Sequence, residues 1–343
     1  TMRYPKITIV TQCWNREKYI AETIESVLSQ GYPNLEYIVI DDNSSDKSWE
    51  IIQRYKDKLA YCERLNFTPP SHAYSCNYGF SKGSGEIMTW LLSKDVFLPK
   101  SLFTVAEVFI KFPHIEWITG MGAIIDGDGK IIRVTPIRKD RYEHLVGVPW
   151  NIQQESTFWR QSLWERTSAQ CNEDVVAIDM NLWMTKFFPH ARLYHLNTLL
   201  GAYRKTPSIS FSTIRRKKFT EDIEEARKIM RKLVSRADLW YALLYRILRY
   251  IKPILRNIPD GIYVRIPILN KLSHKALDFR IMEDNRGVLS EYDRNPFRTI
   301  FPWWLLVEHY RKILIDEIFF FVSVISPVYR FILHNNMRNI TEI

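Results

Sequence analysis

Short aliphatic and β-branched runs alternate with segments whose apolar positions recur every three or four residues, and this alternation holds over the first two hundred residues. Ile7-Thr8-Ile9-Val10-Thr11 reads as a buried strand. Tyr19 to Gln30 follows with Ile20, Ile24, Val27 and Leu28 at helical spacing, and Gly31-Tyr32-Pro33-Asn34 is a turn signal. Tyr37 to Ile40 is a second strand, Ser45 to Tyr55 a helix, Ala73 to Ser81 another, and Ile87 to Leu92 a third strand with a helix after Pro99. Brief loops between these segments predict an open, mostly parallel α/β sheet. Further on, Asp126-Gly127-Asp128-Gly129 predicts a hairpin between Trp117–Ile125 and Lys130–Thr135. Ser156 to Arg166 and Val176 to Phe188 read as helices, and Leu193 to Ala202 as a strand-like apolar stretch.

Two of the strands break abruptly into acids. Ile38-Val39-Ile40 runs into Asp41-Asp42-Asn43-Ser44-Ser45-Asp46, and Ile87 to Leu92 runs into Ser93-Lys94-Asp95. Carboxylates at the C-terminal ends of buried parallel strands are placed where open α/β sheets bind ligands. A nucleotide-and-metal site is therefore the expectation, with a lysine standing where a second acid would serve a metal better.

Composition refines this picture. The chain has 343 residues, 46% hydrophobic and 25% charged, enough for a sizeable core. A net charge of +10 calls for an anionic counterpart: a phosphate-bearing small molecule, lipid headgroups or nucleic acid. No nucleic-acid-binding module accompanies that charge, so nucleic acid is not expected as a partner. The four cysteines, Cys13, Cys62, Cys76 and Cys171, form no CxxC pair, as in a reduced cytosolic protein without a zinc site. Lys6 to Val10 already reads as strand, so no leader is expected.

An ordered set of motifs then carries a resemblance. Thr11 with Trp14-Asn15, Ser26-Val27-Leu28-Ser29-Gln30, Asp41 to Asp46, Asn77-Tyr78-Gly79-Phe80 and Gly85-Glu86-Ile87 come first. Ser93 to Pro99, Gln154 to Trp159, Asp179-Met180-Asn181-Leu182-Trp183 and Gly201-Ala202-Tyr203-Arg204 complete it. In this order the first 210 or so residues resemble a family 2 glycosyltransferase of the GT-A fold, an α/β class with a Rossmann-like mixed sheet. The resemblance implies a catalytic domain over residues 1–212; beyond it the pattern reads as a mainly helical C-terminal extension over residues 213–343.

It also implies roles. Thr11 would sit beside the base of a nucleotide-sugar donor, a UDP-sugar by the same analogy, and Asp42 would accept from the uracil or ribose. Asp95 would hold the Mn²⁺ or Mg²⁺ that bridges the donor diphosphate, a hard cation suited to oxygen ligands. Asp179 would be the general base that deprotonates the acceptor hydroxyl in an inverting displacement, with Glu173 and Asp174 as solvated alternatives. Gln154, Glu155 and Trp159 fall on the acceptor side, although core packing suits Trp159 equally, and Trp90 reads as core.

Two departures from the family pattern shift the site toward positive charge. Lys94 replaces an acid: its ammonium could bind a phosphate oxygen, point outward beside a one-carboxylate metal site, or signal weak catalysis. Arg204-Lys205-Thr206 keeps an arginine as a diphosphate contact but lacks the family's histidine. Low metal affinity, or none required, is the consequence expected. A silent sugar-nucleotide-binding scaffold is the alternative to a transferase acting on a glycan or polyprenyl-linked acceptor of a bacterial surface polysaccharide.

Beyond Ser212 the reading rests on pattern alone. Arg215-Arg216-Lys217-Lys218 opens a long helix, and Trp240, Tyr241, Tyr245, Tyr250 and Trp303-Trp304 are residues that favour bilayer interfaces. The segment therefore suits either an anionic cytoplasmic membrane surface or packing on the catalytic domain or a second subunit as a homodimer. The longest uncharged stretch of the last block, Ile318 to Tyr329, has 12 residues, short of the roughly 20 a spanning helix needs.

Overall fold

A computed structural model of the chain describes residues 3–66, 71–135, 140–147, 152–206, 215–281, 287–294 and 296. All lie in one compact unit spanning residues 1–299. Trp303-Trp304 and the Ile318–Tyr329 stretch lie outside the described residues.

The alternation of strand and helix is realised from the first residues. In chain order the first half runs β1 (Ile7–Cys13), α1 (Ile20–Leu28), β2 (Leu35–Asp41), α2 (Ser48–Gln53), β3 (Tyr61–Arg64), α3 (His72–Ser81), β4 (Ile87–Trp90), β5 (Val96–Phe97), α4 (Ser101–Lys111), β6 (Trp117–Ile125) and β7 (Ile131–Thr135). Then come α5 (Arg141–Leu145), β8 (Thr157–Arg160), α6 (Gln161–Arg166), α7 (Ile178–Leu182) and β9 (Leu193–Arg204). Five helices follow, α8 (Arg216–Leu233), α9 (Arg236–Leu248), α10 (Lys252–Leu255), α11 (Asp260–Tyr263) and α12 (Pro267–Asn270), before a hairpin of β10 (His274–Ile281) and β11 (Gly287–Arg294).

The described strands form one mixed sheet in the order β11-β10-β9-β6-β8-β4-β1-β2-β3, with β5 on β9 and β7 on β6. β1 lies parallel between β2 and β4, with Cys13 opposite Asp41 and Val10 opposite Trp90, so all three strands point their C-terminal ends to the same sheet edge. Every residue of β1 is buried, because helices cover both faces of the sheet. On one face Ile9 and Cys13 pack with Ile24 of α1 and Val105 of α4. On the other, Val10 packs with Phe80 of α3, Met180 of α7 and Ala226 of α8.

One expectation fails here. Thr157 to Arg160 is a strand, not part of a helix; only Gln161 to Arg166 is helical. Thr157, Phe158 and Trp159 are strand formers, and β8 bridges β6 and β4, pairing Trp159 with both Trp117 and Met88. The described part of the C-terminal extension is mainly helical and closes with a hairpin that the pattern did not reveal. β10 joins the sheet parallel to β9, Leu277 opposite Leu196, and β11 returns antiparallel along it.

Candidate active site

The loops leaving β1 and β2 are laced together, and the lacing fixes the acids. Asn15 and Asn43 adopt left-handed backbone, φ 50° and 58°, which asparagine tolerates better than most residues. Asn15 N donates to Ser44 Oγ at 2.9 Å, and its Oδ1 accepts from Ser45 N at 2.8 Å. Ser44 Oγ in turn donates to Asp41 Oδ1 at 2.6 Å, while Arg64 Nε lies 3.4 Å from Asp41 Oδ2. Asp41 is thus an interior brace. Its neighbour Asp42 turns to the other side, takes the Ser75 hydroxyl as donor and is 2% exposed. Burial, with the charge of Asp41 added, pushes its carboxyl up to about 7. Thr11, expected beside a base, is fully buried with its hydroxyl 3.0 Å from the Tyr37 hydroxyl.

Asp95 sits just beyond β4, fully buried. Its Oδ1 accepts from Arg204 N at 2.7 Å; its Oδ2 has no hydrogen-bond partner among the described residues. Desolvation raises its carboxyl to about 6 against the pull of Lys94, Arg204 and Arg16. A buried carboxylate oxygen left without a donor suits a hard cation. Among the described residues no cluster of three or more His, Cys, Asp or Glu forms a complete cage. The residues therefore fit a divalent ion held by one protein carboxylate, its other ligands supplied by substrate and water.

Lys94 points inward. Its Nζ donates to Arg204 O at 2.9 Å and lies 3.9 Å from the centre of the Tyr203 ring. Arg204 has no exposed surface. Its Nε donates to Lys94 O at 2.8 Å, Nη1 to the carbonyls of Asp126 and Gly127 at 3.1 and 3.2 Å, and Nη2 pairs with Glu22 at 2.6 Å. The arginine read from sequence as a diphosphate contact has its guanidinium occupied as a clamp between β9, the β6–β7 turn and α1.

Glu155 and Gln154 lie under this edge, both buried. Gln154 Nε2 donates to Trp90 O, and Glu155 accepts from Gln153. Burial, then the charge of Asp95, pushes Glu155 well above the ordinary carboxyl range. The acceptor-side placement of Trp159 is corrected: it is fully buried, its ring 5.4 Å from Trp90, 5.9 Å from Trp164 and 5.8 Å from Phe80. Trp90 belongs to the same core cluster.

Asp179 lies in the first turn of α7 and is half-buried. Desolvation raises its carboxyl to about 6, opposed by the backbone N–H groups of Met180 and Asp179 itself. Glu173 and Asp174 are exposed. Sequence reasoning missed two residues. Arg16, just past β1, acts electrostatically on Asp95. His72, solvent-exposed at the start of α3, lies within electrostatic reach of Arg16 and Lys94. A basic residue straight after a strand end was the available signal for Arg16; His72 had none.

The sequence profile described as "Glycosyl transferase family 2" matches residues 8–219. The putative glycosyltransferase EpsE of Bacillus subtilis is 24% identical over 298 residues, 83% of this chain and 98% of that protein. An uncharacterized glycosyltransferase of Haemophilus influenzae is 36% identical over 148 residues, which cover 42% of this chain and 58% of the relative. For one from Rickettsia typhi, 35% identical, the share is 34% of this chain and 36% of the relative. The chain therefore spans only part of the length of these two relatives. Among solved structures, S. aureus TarS 1-349 in complex with UDP superposes with a TM-score of 0.54 at 18% identity, covering 71% of each chain. Its complex with UDP-GlcNAc gives 0.53, covering 64% of this chain and 65% of that one. The likeness shows a shared fold, the GT-A class.

Proposed function

From the premise that this chain belongs to glycosyltransferase family 2, we propose that it transfers a sugar from a nucleoside-diphosphate donor of the UDP type to a glycan or polyprenyl-linked acceptor. We further propose inversion at the anomeric carbon and a role in a bacterial surface polysaccharide. The observation that carries the reading is Asp95, a buried carboxylate with one oxygen fixed by the Arg204 amide and the other without a partner among the described residues. It stands just past β4, on the sheet edge to which the C-terminal ends of the parallel strands β1, β2 and β4 all point. The UDP and UDP-GlcNAc in the TarS crystals support uridine as the nucleoside.

Each residue has a physical task in this reading. Asp42, held by Ser75, accepts an N–H or O–H from the base or ribose and sets the register of the donor. A divalent cation on Asp95 would supply Lewis-acid stabilisation of the departing diphosphate. Lys94 and Arg16 add fixed positive charge beside it, where low hydration strengthens their effect on developing negative charge. Arg204 holds the loop that carries Asp95 and Lys94. Asp179 takes the proton of the attacking hydroxyl; a carboxyl raised to about 6 is ionised at neutral pH yet more basic than an exposed aspartate. In one displacement the acceptor oxygen bonds to the anomeric carbon, the bond to the diphosphate breaks, and the proton ends on Asp179.

The test is UDP release from a panel of UDP-sugars, with Mn²⁺, with Mg²⁺ and with EDTA. Release by the parent protein and its loss in Asp179→Asn, with UDP still stabilising the variant thermally, are expected. UDP binding without release from any donor would replace the transferase with a binding role.

A further inference from the structure

The helical run from Arg236 to Arg256 has an inner and an outer face of opposite character. The inner face is bolted to the sheet domain: Asp238 pairs with Arg141 at 3.0 Å, and the buried Tyr245 donates to Glu143 at 3.0 Å. On the outer face Trp240, Leu243, Ile247, Ile251 and Ile254 recur at intervals of three and four residues. They are 61, 48, 56, 43 and 67% exposed. An ordered apolar stripe on the solvent side of an already packed helix is the reverse of ordinary amphipathic patterning, and contiguous patches of this kind mark interaction sites.

Charge identifies the occupant. The run carries five cations, Arg236, Arg246, Arg249, Lys252 and Arg256, and one acid, the paired Asp238. A second copy of this chain docked by a two-fold axis would bring the same cations face to face, and like charges across an interface are strongly disfavoured. Beside the stripe, an open depression of about 450 Å³ is lined by Val146 and the exposed Arg246, Arg249 and Tyr250. Neither of its guanidinium groups makes an ion pair with a described residue. Two arginines and a phenol around such a space suit a phosphate monoanion with a substituent. Among the described residues no helix is long and apolar enough to cross a membrane.

We propose that this face lies flat on a bilayer containing anionic phospholipid, its apolar stripe in the headgroup–acyl boundary and a lipid phosphate between Arg246 and Arg249. Aromatic and aliphatic side chains flanked by cations are the composition of such interfacial helices. The inference is independent of the reaction proposed above.

Flotation of the full chain with vesicles of phosphatidylcholine, with and without phosphatidylglycerol, tests it. The parent protein is expected to float with the anionic vesicles and to be released by raised salt. Ile247→Ser with Ile254→Ser should weaken that binding about tenfold or more. Arg246→Gln with Arg249→Gln should weaken it about tenfold and remove most of the preference for anionic lipid. All four positions are exposed, so unchanged melting temperatures are expected and serve as the folding control. Absence of binding by the parent, or parent-like binding by both variants, overturns the proposal. So does a concentration-dependent dimer in sedimentation velocity that the isoleucine variants abolish, which would make the face a self-association surface.

Discussion

Replacing Arg204 by methionine separates a clamp from a ligand contact. The side chain is fully buried and makes three charge-assisted bonds to the carbonyls of Lys94, Asp126 and Gly127, plus an ion pair with the half-exposed Glu22. Methionine approximates the volume and makes none of these. Hydrogen bonds to charged groups contribute about 1.5–3 kcal/mol each, but the turn carbonyls can regain water. The exposed end of the ion pair adds less than about 1 kcal/mol. A net loss of about 3–5 kcal/mol follows, the range for removing one partner of a buried charged constellation. For a domain of this size that lowers the melting temperature by about 5–10 °C. The contacts to Asp95 Oδ1 and Lys94 Nζ come from the Arg204 backbone and survive the change. UDP affinity, measured by calorimetry at a temperature where the variant is folded, should therefore fall by less than about tenfold. An unchanged melting temperature together with a far larger loss of UDP affinity would refute the clamp and restore the guanidinium as a diphosphate contact.

Three further outcomes follow from the geometry. Asp179→Asn should lower turnover by about 10²–10⁴, and the parent kcat/KM should rise with pH through about 6 as the carboxyl ionises, a limb absent from the variant's residual rate. Asp42, raised to about 7, accepts best when ionised, so UDP affinity should tighten between acid and weakly alkaline pH, and Asp42→Asn should flatten that dependence. Asp95→Asn should abolish metal-dependent UDP binding yet raise the melting temperature of the ligand-free protein above pH 6. The sign follows from its raised folded pKa, about 6 against 3.8: the folded state binds more protons than the unfolded one in this window, so ionisation costs stability as pH rises. Removing the charge recovers about 1–2 kcal/mol after the cost of a buried unpaired amide. A fall in melting temperature on substitution would contradict the desolvation argument.

The strands that build the site were legible because both of their faces are buried, and continuous runs such as Ile38-Val39-Ile40 have no competing helical reading. Thr157 to Arg160 was not, because Phe158, Trp159, Leu163 and Trp164 imitate helical spacing, and only pairing with both β4 and β6 selects the strand. The hairpin β10–β11 was hidden by charges such as Lys275, Asp278 and Glu291; its place depends on an edge of β9 far away in sequence. At the site, residue types were readable but directions were not. Asp42 and Asp95 stand at strand ends as their positions suggested. The inward turn of Arg204 depends on the carbonyls of the Asp126–Gly127 turn, and the burial of Trp159 on five other aromatic rings.

The parallel pairing of Lys275 to Leu277 with Tyr194 to Leu196 gives the C-terminal region a duty unrelated to catalysis. The family match ends at residue 219, which invites expression of a shortened chain. Such a fragment would lack the strand that caps β9 and would present a row of unsatisfied amide and carbonyl groups beside the apolar Leu196, a template for intermolecular strand addition. The hairpin is a hem on the sheet, and a protein cut ahead of it would be expected to associate edge to edge even with every site residue intact.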